Sequence, residues 1–317
     1  MVRIGLDVGG SSIKAGVVGE EYQILSKTSR RTNADREEHS VLDDMAGTIQ
    51  DALNQAELTL RDVEAVGVGC PGTCNRDTGL IEYANNLGFA GVALCEELKS
   101  RLGGIPVYME NDANAAVCGE YLAGSLAGCT DCICVTLGTG VGGGILLNGK
   151  IFSGINFAGG ELGHMVINED GVDCNCGRKG CWEMYASAKA LVRQTKQAMK
   201  EHPESRLWEI APSLDKVGGR AAFQGARMGD SAAEAVVQKY VYYIGVGLVN
   251  LINIFQPEII CLGGGVCNEG DTLITPLRDM ILRERYSRYA HRQTKICIAE
   301  LGNDAGIVGA AFLDKMI

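Results

Sequence analysis

Ile4-Gly5-Leu6-Asp7-Val8-Gly9-Gly10-Ser11-Ser12-Ile13-Lys14-Ala15-Gly16-Val17-Val18 reads as strand, tight turn, strand. Apolar residues fill both arms, Asp7 closes the first, and glycines and hydroxyls make the turn. Glycine tolerates positive φ and close backbone approach, so successive N–H groups of such a turn can point at an anion. Taken alone, the same residues also suit an ordinary hairpin turn. The pattern recurs further on. Asp131 to Leu137 is another apolar strand, followed by the loop Gly138 to Gly144 and the strand Ile145-Leu146-Leu147. Each copy runs apolar strand, polar residue (Asp7, then Thr136), glycine-rich turn, apolar strand. Two such hairpins about one domain apart indicate an internal duplication, with two phosphate-binding loops facing each other across a cleft.

Between and after the hairpins, strands alternate with helices. Val41, Leu42, Met45, Ile49, Leu53 and Ala56 recur at helical steps and predict an amphipathic helix from Arg36 to Leu58. Val63 to Cys70 is a strand ending at the turn Pro71-Gly72, Leu94 to Leu102 is helical, and Ile105 to Met109 is a short strand that delivers Glu110-Asn111-Asp112. Helices follow at Ser187 to Lys200 and Asp230 to Phe255, then a strand at Glu258 to Leu262 and a third glycine turn, Gly263-Gly264-Gly265. A charged helix from Arg278 to Tyr289, a strand from Lys295 to Leu301, and a small-residue helix capped by Asp304 complete the pattern. This alternation predicts an α/β protein. Gly138-x-Gly140-x-x-Gly143 also fits the dinucleotide fingerprint, but that motif must open a helix. Here a strand and the turn Asn148-Gly149-Lys150 come next, which rules it out.

A chain of 317 residues accommodates two domains, each with its own core. With 46% hydrophobic and 21% charged residues, the composition is that of a folded globular protein. A net charge of -10 argues against an extended nucleic-acid surface. No apolar run is read as long enough to span a membrane, and a strand at Val2 leaves no room for a signal peptide, so a cytoplasmic location is expected. The 13 cysteines are scattered through apolar runs, as buried thiols in a reducing compartment would be. His164-x9-Cys174-x-Cys176-x4-Cys181 is the exception. One nitrogen and three sulfurs make a closed tetrahedral set of the kind structural zinc prefers. A metal so enclosed would fix the loop from Gly160 to Glu183 and orient His164, not activate water.

Asp112 stands before Ala113-Asn114-Ala115-Ala116-Val117, where a helix is expected to start. An N-cap is one role for it. A general base is the other, since a helix N-terminus favours the ionised carboxylate. The nearby glycine loops favour the base, because phosphoryl transfer needs one for the attacking hydroxyl. Glu161 and Glu183 flank the Cys/His set, and with the amides of Asn86 and Asn111 they suit the hydroxyls of a polyol.

These motifs resemble the ROK family of sugar kinases and repressors over the whole chain. Asp7-Val8-Gly9-Gly10 is similar to its first phosphate loop, Leu137 through Gly163 to its signature, and Cys174-Asn175-Cys176-Gly177-Arg178-Lys179-Gly180-Cys181-Trp182-Glu183 to its zinc motif. The resemblance implies an actin-like, hexokinase-like (ribonuclease H-like) fold. Residues 1–111 would form a smaller domain, with the terminal helix 305–317 packed back on it, and 112–304 a larger one holding the zinc motif. It implies ATP-dependent phosphorylation of the 6-hydroxyl of glucose, with Asp112 as base, and Gly72, Asn86, Asn111, Glu161, His164 and Glu183 holding the sugar. Asp7, Gly9, Gly10, Ser11, Lys14, Thr136, Gly138, Thr139 and Gly140 would meet the ATP phosphates and Mg²⁺, and Gly263, Gly264 and Gly265 the adenosine. Structural Zn²⁺ and a homodimer or dimer of dimers are implied as well. Another hexose, chiefly N-acetylmannosamine, is the alternative substrate, and a non-catalytic sugar-binding regulator the alternative class. The repressors carry a DNA-binding segment ahead of this core, which a first strand at Val2 would lack. Trp182 replaces a common Leu and is expected to shape the rim of the sugar pocket.

Overall fold

The computed structural model describes residues 1–317. Its strands are β1 (Val2–Val8), β2 (Ser12–Val18), β3 (Ile24–Arg31), β4 (Val63–Cys70), β5 (Thr73–Asn75), β6 (Leu80–Ala84), β7 (Phe89–Val92), β8 (Val107–Asn111), β9 (Cys132–Leu137), β10 (Val141–Leu147), β11 (Lys150–Ile151), β12 (Ile259–Gly263) and β13 (Lys295–Ile298). Two five-stranded sheets share one topology, β3-β2-β1-β4-β8 and β11-β10-β9-β12-β13. In each, an antiparallel hairpin meander sits on one side (β1–β2–β3 and β10–β11) and parallel pairing on the other (β1–β4–β8 and β12–β13). This repeated order is the duplication read from the two glycine hairpins. The fold is the actin-like, hexokinase-like ATPase fold. A third, three-stranded sheet has the order β5-β6-β7.

The chain divides into two compact units, Met1–Cys134 with Gly144–Gly160 and Ala299–Ile317, and Val135–Gly143 with Glu161–Ile298. These bounds differ from a boundary at residue 111, and the two units are of comparable length. The reason lies in the helix Asp112–Ala123, which packs on the terminal helix Ala305–Ala311 of the first unit. The two backbones are close enough that a Cβ on Gly119 would lie 2.1 Å from the Ala305 carbonyl oxygen, and one on Gly309 1.8 Å from that of Ala115. Small residues on both helices permit this approach. The terminal helix also covers β1 and β4, where a Cβ on Gly5 or Gly67 would strike its carbonyls. Buried Glu120 ties down the segment before it, accepting the N–H groups of Glu300 and Leu301 at 3.1 and 2.8 Å and the N–H and hydroxyl of Ser125 besides.

The core of the first unit gathers Ile4, Leu6 and Val8 of β1, Ile13, Ala15 and Val17 of β2 and the buried stripe Val41, Leu42, Met45, Ile49 and Leu53 of the helix Glu38–Gln55. That is the amphipathic face read from the sequence. In the second unit the helix Ser231–Phe255 is long and apolar enough to cross a membrane by length and composition. This corrects the expectation that no apolar run reaches that length. The helix is mostly buried and serves as a core element of its unit.

Other boundaries move for local reasons. β10 begins at Val141, so Gly142, Gly143 and Gly144 are strand residues and the loop is shorter than expected. The charged helix spans Asp271–Glu284, not 278–289, with Pro276 inside it. The last strand stops at Ile298. Asp304 does not cap its helix; its carboxylate accepts instead from Lys27 Nζ at 2.8 and 2.9 Å.

Candidate active site and metal centre

In the first unit the β1–β2 hairpin closes with Gly9 N–H donating to the Ser12 carbonyl oxygen at 2.8 Å. Neither Gly9 nor Gly10 adopts positive φ, so it is close approach that the turn requires. A Cβ on Gly10 would lie 3.0 Å from the backbone oxygen of Asn86, which brings the anion loop against a residue read as sugar-binding. Lys14 stands opposite Asp7 in the register and donates to its Oδ2 at 2.7 Å. Asp7 is thus a half-buried carboxylate with a paired countercharge, beside the loop glycines.

β8 delivers Glu110 and Asn111, and the helix begins at Asp112. Asn111, not Asp112, is the N-cap, and its Oδ1 accepts the Ala113 N–H at 2.9 Å. Its Nδ2 donates to the Gly72 carbonyl at 3.2 Å. One amide N–H and one lone pair of Asn111 therefore remain for a ligand. Gly72 needs to be glycine twice over, with φ 94° and a Cβ position 2.1 Å from the Tyr83 oxygen. Asp112 sits in the first helical turn, where its Oδ1 also accepts the Ala113 N–H at 2.9 Å. Helix N-terminal donors and dipole favour the anion there. Asn86, on the short turn Asn85–Leu87, is exposed.

In the second unit the loop after β9 is held to the helix Ala188–Glu201 by the Ala188 N–H, which donates to the Gly138 oxygen at 2.8 Å. Gly264, at φ 98°, places its Cα where a Cβ would lie 2.3 Å from the Leu137 oxygen, so the third glycine turn abuts this loop. Ideal Cβ placement on Gly140 falls 2.6 Å from Glu183 Oε2. The phosphate-loop glycine and Glu183 are therefore neighbours.

His164, Cys174, Cys176 and Cys181 offer ligand atoms that all lie within 4.8 Å of one another. His164 Nδ1 is 3.7 Å from Cys174 Sγ, and Cys176 and Cys181 sulfurs are 3.6 Å apart. The hairpin-like turn between Cys174 and Cys181 is closed by the Cys174 N–H on Arg178 oxygen and the Gly177 N–H on Cys174 oxygen. The Arg178 backbone N–H lowers the Cys176 thiol to about 7, while burial pushes Cys174 up to about 12 and Cys181 upward as well. One imidazole and three sulfurs converging on one point, one sulfur already easily ionised, fit a tetrahedral metal. Glu183 Oε1 lies beside the set, 3.4 Å from Cys174 Sγ and 4.0 Å from His164 Nδ1. Glu161 is exposed, and no hydrogen bond or ion pair joins its carboxylate to them.

Trp182, expected at a pocket rim, is fully buried. Its Nε1 donates to the Tyr243 carbonyl at 2.8 Å. The ring fills the space over Gly247, locking the residue between Cys181 and Glu183 onto the long core helix. The partners of buried Glu110 were not legible either. Arg76 lies in a turn with no periodic or spacing signal, although a Glu closing an apolar strand was itself a cue.

The chain matches the ROK family over residues 3–316. A glucokinase of Streptomyces coelicolor is 38% identical over 319 residues, covering 99% of this chain and 98% of that protein. A glucokinase of Halalkalibacterium halodurans is 37% identical over 316 residues, covering 98% and 94%. The structure of a ROK family glucokinase from Streptomyces griseus, in complex with glucose and AMPPNP, superposes with a TM-score of 0.84 at 37% identity, covering 99% of both chains.

Proposed function

The chain belongs to the ROK family and is a hexose kinase, and from that premise we propose that it transfers the γ-phosphoryl group of ATP to the 6-hydroxyl of glucose, with Asp112 as general base. The observation that carries the assignment of the base is the helix start. Asn111 takes the capping role, and the Asp112 carboxylate stands in the first helical turn on its anion-favouring end. Such a group accepts the proton of a hydroxyl as that oxygen attacks phosphorus. The glucose assignment is supported by the two bacterial glucokinases and by the glucose-bound relative.

In this reading the first unit offers Gly72, Asn86, Asn111 and Asp112 for the sugar, and the second offers Glu161, His164 and Glu183. Gly9, Gly10, Ser11 and Lys14, together with Thr136, Gly138, Thr139 and Gly140, meet the phosphates, and Gly263, Gly264 and Gly265 the adenosine. Phosphoryl transfer asks the protein mainly for alignment and charge neutralisation. Backbone N–H groups of the glycine turns supply part of this, and Lys14 can turn from Asp7 toward a phosphate. Mg²⁺ suits the oxygen chemistry of Asp7 and, when bound, neutralises phosphate charge. Zinc suits the His164, Cys174, Cys176 and Cys181 set as a structural ion. It would hold the turn that carries Glu183 and fix the ring of His164.

Coupled ATP turnover with glucose and with N-acetylmannosamine tests the substrate. Strong preference for glucose is expected; preference for N-acetylmannosamine would overturn the sugar assignment and leave the kinase. Turnover of neither sugar would favour a binding protein.

A further inference from the structure

Glu110 is a carboxylate with no exposed surface, two residues before the proposed base. Its Oε1 accepts the Asn111 backbone N–H at 2.8 Å and Asn114 Nδ2 at 3.0 Å, the two residues that bracket Asp112. Its Oε2 accepts Arg76 Nη1 at 3.0 Å. Asn114 is itself buried, and its Oδ1 has no donor. The amide is thus oriented by the carboxylate at the expense of its own acceptor. The Arg76 guanidinium in turn lies 5.7 Å from the ring centre of Phe157, a residue held at φ 59°. A buried carboxylate without a cation is strongly destabilising, so Arg76 lowers the cost of a charge on Glu110 there.

We propose that Arg76 and Glu110 are a positioning pair for Asp112. Glu110 grips the backbone and side chain on either side of the base, and Arg76 cancels its charge, so that the helix start carrying half-buried Asp112 holds a neutral pair and not an uncompensated buried anion. Thiols also lie around them, Cys70 beside Asp112 and Cys74, and Cys118 beside Glu110, Arg76 and Cys132. Burial pushes Cys70 and Cys118 upward, so they stay neutral. The inference rests on Asp112 being the base.

The opposite charges of the pair give a test that a purely structural role would not pass. Glu110→Gln keeps the shape and leaves Arg76 as an uncompensated cation, which favours ionised, less basic Asp112. Arg76→Met leaves an uncompensated anion and acts the other way. Both variants are expected to lower kcat, by about tenfold for Arg76→Met, with the KM for glucose within about twofold of wild type. The acid limb of kcat/KM should move to lower pH in Glu110→Gln and to higher pH in Arg76→Met, and return in the double variant. If Arg76→Met does not fold, Glu110→Gln against the double variant carries the comparison. A limb that stays in place in the variants that fold, with only the melting temperature changed, overturns the positioning pair. Asp112→Ala assayed alongside separates the two readings. If it is active, the base assignment falls; if it is inactive while the limb never moves, only the pair falls.

Discussion

The ring of Trp182 occupies the space a side chain on Gly247 would need. A Cβ there would lie 2.0 Å from Cε2. The indole N–H, donating to Tyr243, fixes the ring on the core helix a turn earlier. Since Trp182 follows a metal-ligand candidate and precedes Glu183, the packing of a core helix determines where both side chains point.

Gly247→Ala therefore sets two terms against each other. Alanine gains up to about 1 kcal/mol of helix propensity, and overpacking against a rigid ring costs about 1–3 kcal/mol. Net destabilisation is expected, seen as a lower urea midpoint. Combining it with Trp182→Leu should cost less than the sum of the two single changes, and additivity would show that they do not share this space.

The candidate metal centre predicts a composition. Purified protein should contain roughly one zinc per chain, and Cys174→Ser close to none, because a closed site that loses a ligand loses most of its affinity. Elemental analysis by mass spectrometry checks this. Loss of the ion should also make the segment from Gly160 to Glu183 more sensitive to proteolysis. Zinc-free wild-type protein with unchanged digestion would contradict it.

Much of this was legible because the determining interactions are local. The β1–β2 and β9–β10 hairpins declare themselves through strand–glycine–strand patterning, and the Cys/His set through spacing alone. Helix start at Asp112 was also readable, but which residue caps it depended on whether Asn111 or Asp112 turned inward. Trp182 and Arg76 were not legible. Each is defined by a partner distant in sequence, Tyr243 and Gly247 for one, Glu110 and Phe157 for the other, and no periodicity links such pairs. Asp304 misled for a related reason: a residue with N-cap chemistry was taken by a lysine distant in sequence, Lys27.

Asp230 gives a pH prediction. Burial opposes its charge, but the N–H groups of Ala233 and Arg206 and the Ser205 hydroxyl outweigh burial and hold its carboxyl below the usual range. With the folded value depressed, its contribution is present above the unfolded value of about 3.9 and is lost as pH falls through the folded one. Asp230→Ala should cost about 1–2 kcal/mol near pH 7, as other caps do, and less at a pH below the unfolded value of about 3.9. Denaturant titrations at the two pH values check the sign; an equal cost at both would contradict it.

Gly140→Ala should disturb the sugar more than the fold. The added methyl meets the end of a flexible side chain, Glu183 Oε2, which can move aside. The expected result is a rise of about tenfold in the KM for glucose, on the order of one lost charged hydrogen bond, with little change in melting temperature. An unaltered KM would remove Glu183 from the sugar.

The most direct measurement is kcat for Asp112→Ala with glucose and ATP, beside glucose binding by calorimetry on the same protein. If Asp112 is the base, turnover falls about 10²–10⁴-fold while glucose still binds within about tenfold of wild type. Turnover within a few-fold of wild type, in a variant that binds glucose normally, would contradict the assignment of the base and with it the proposed mechanism.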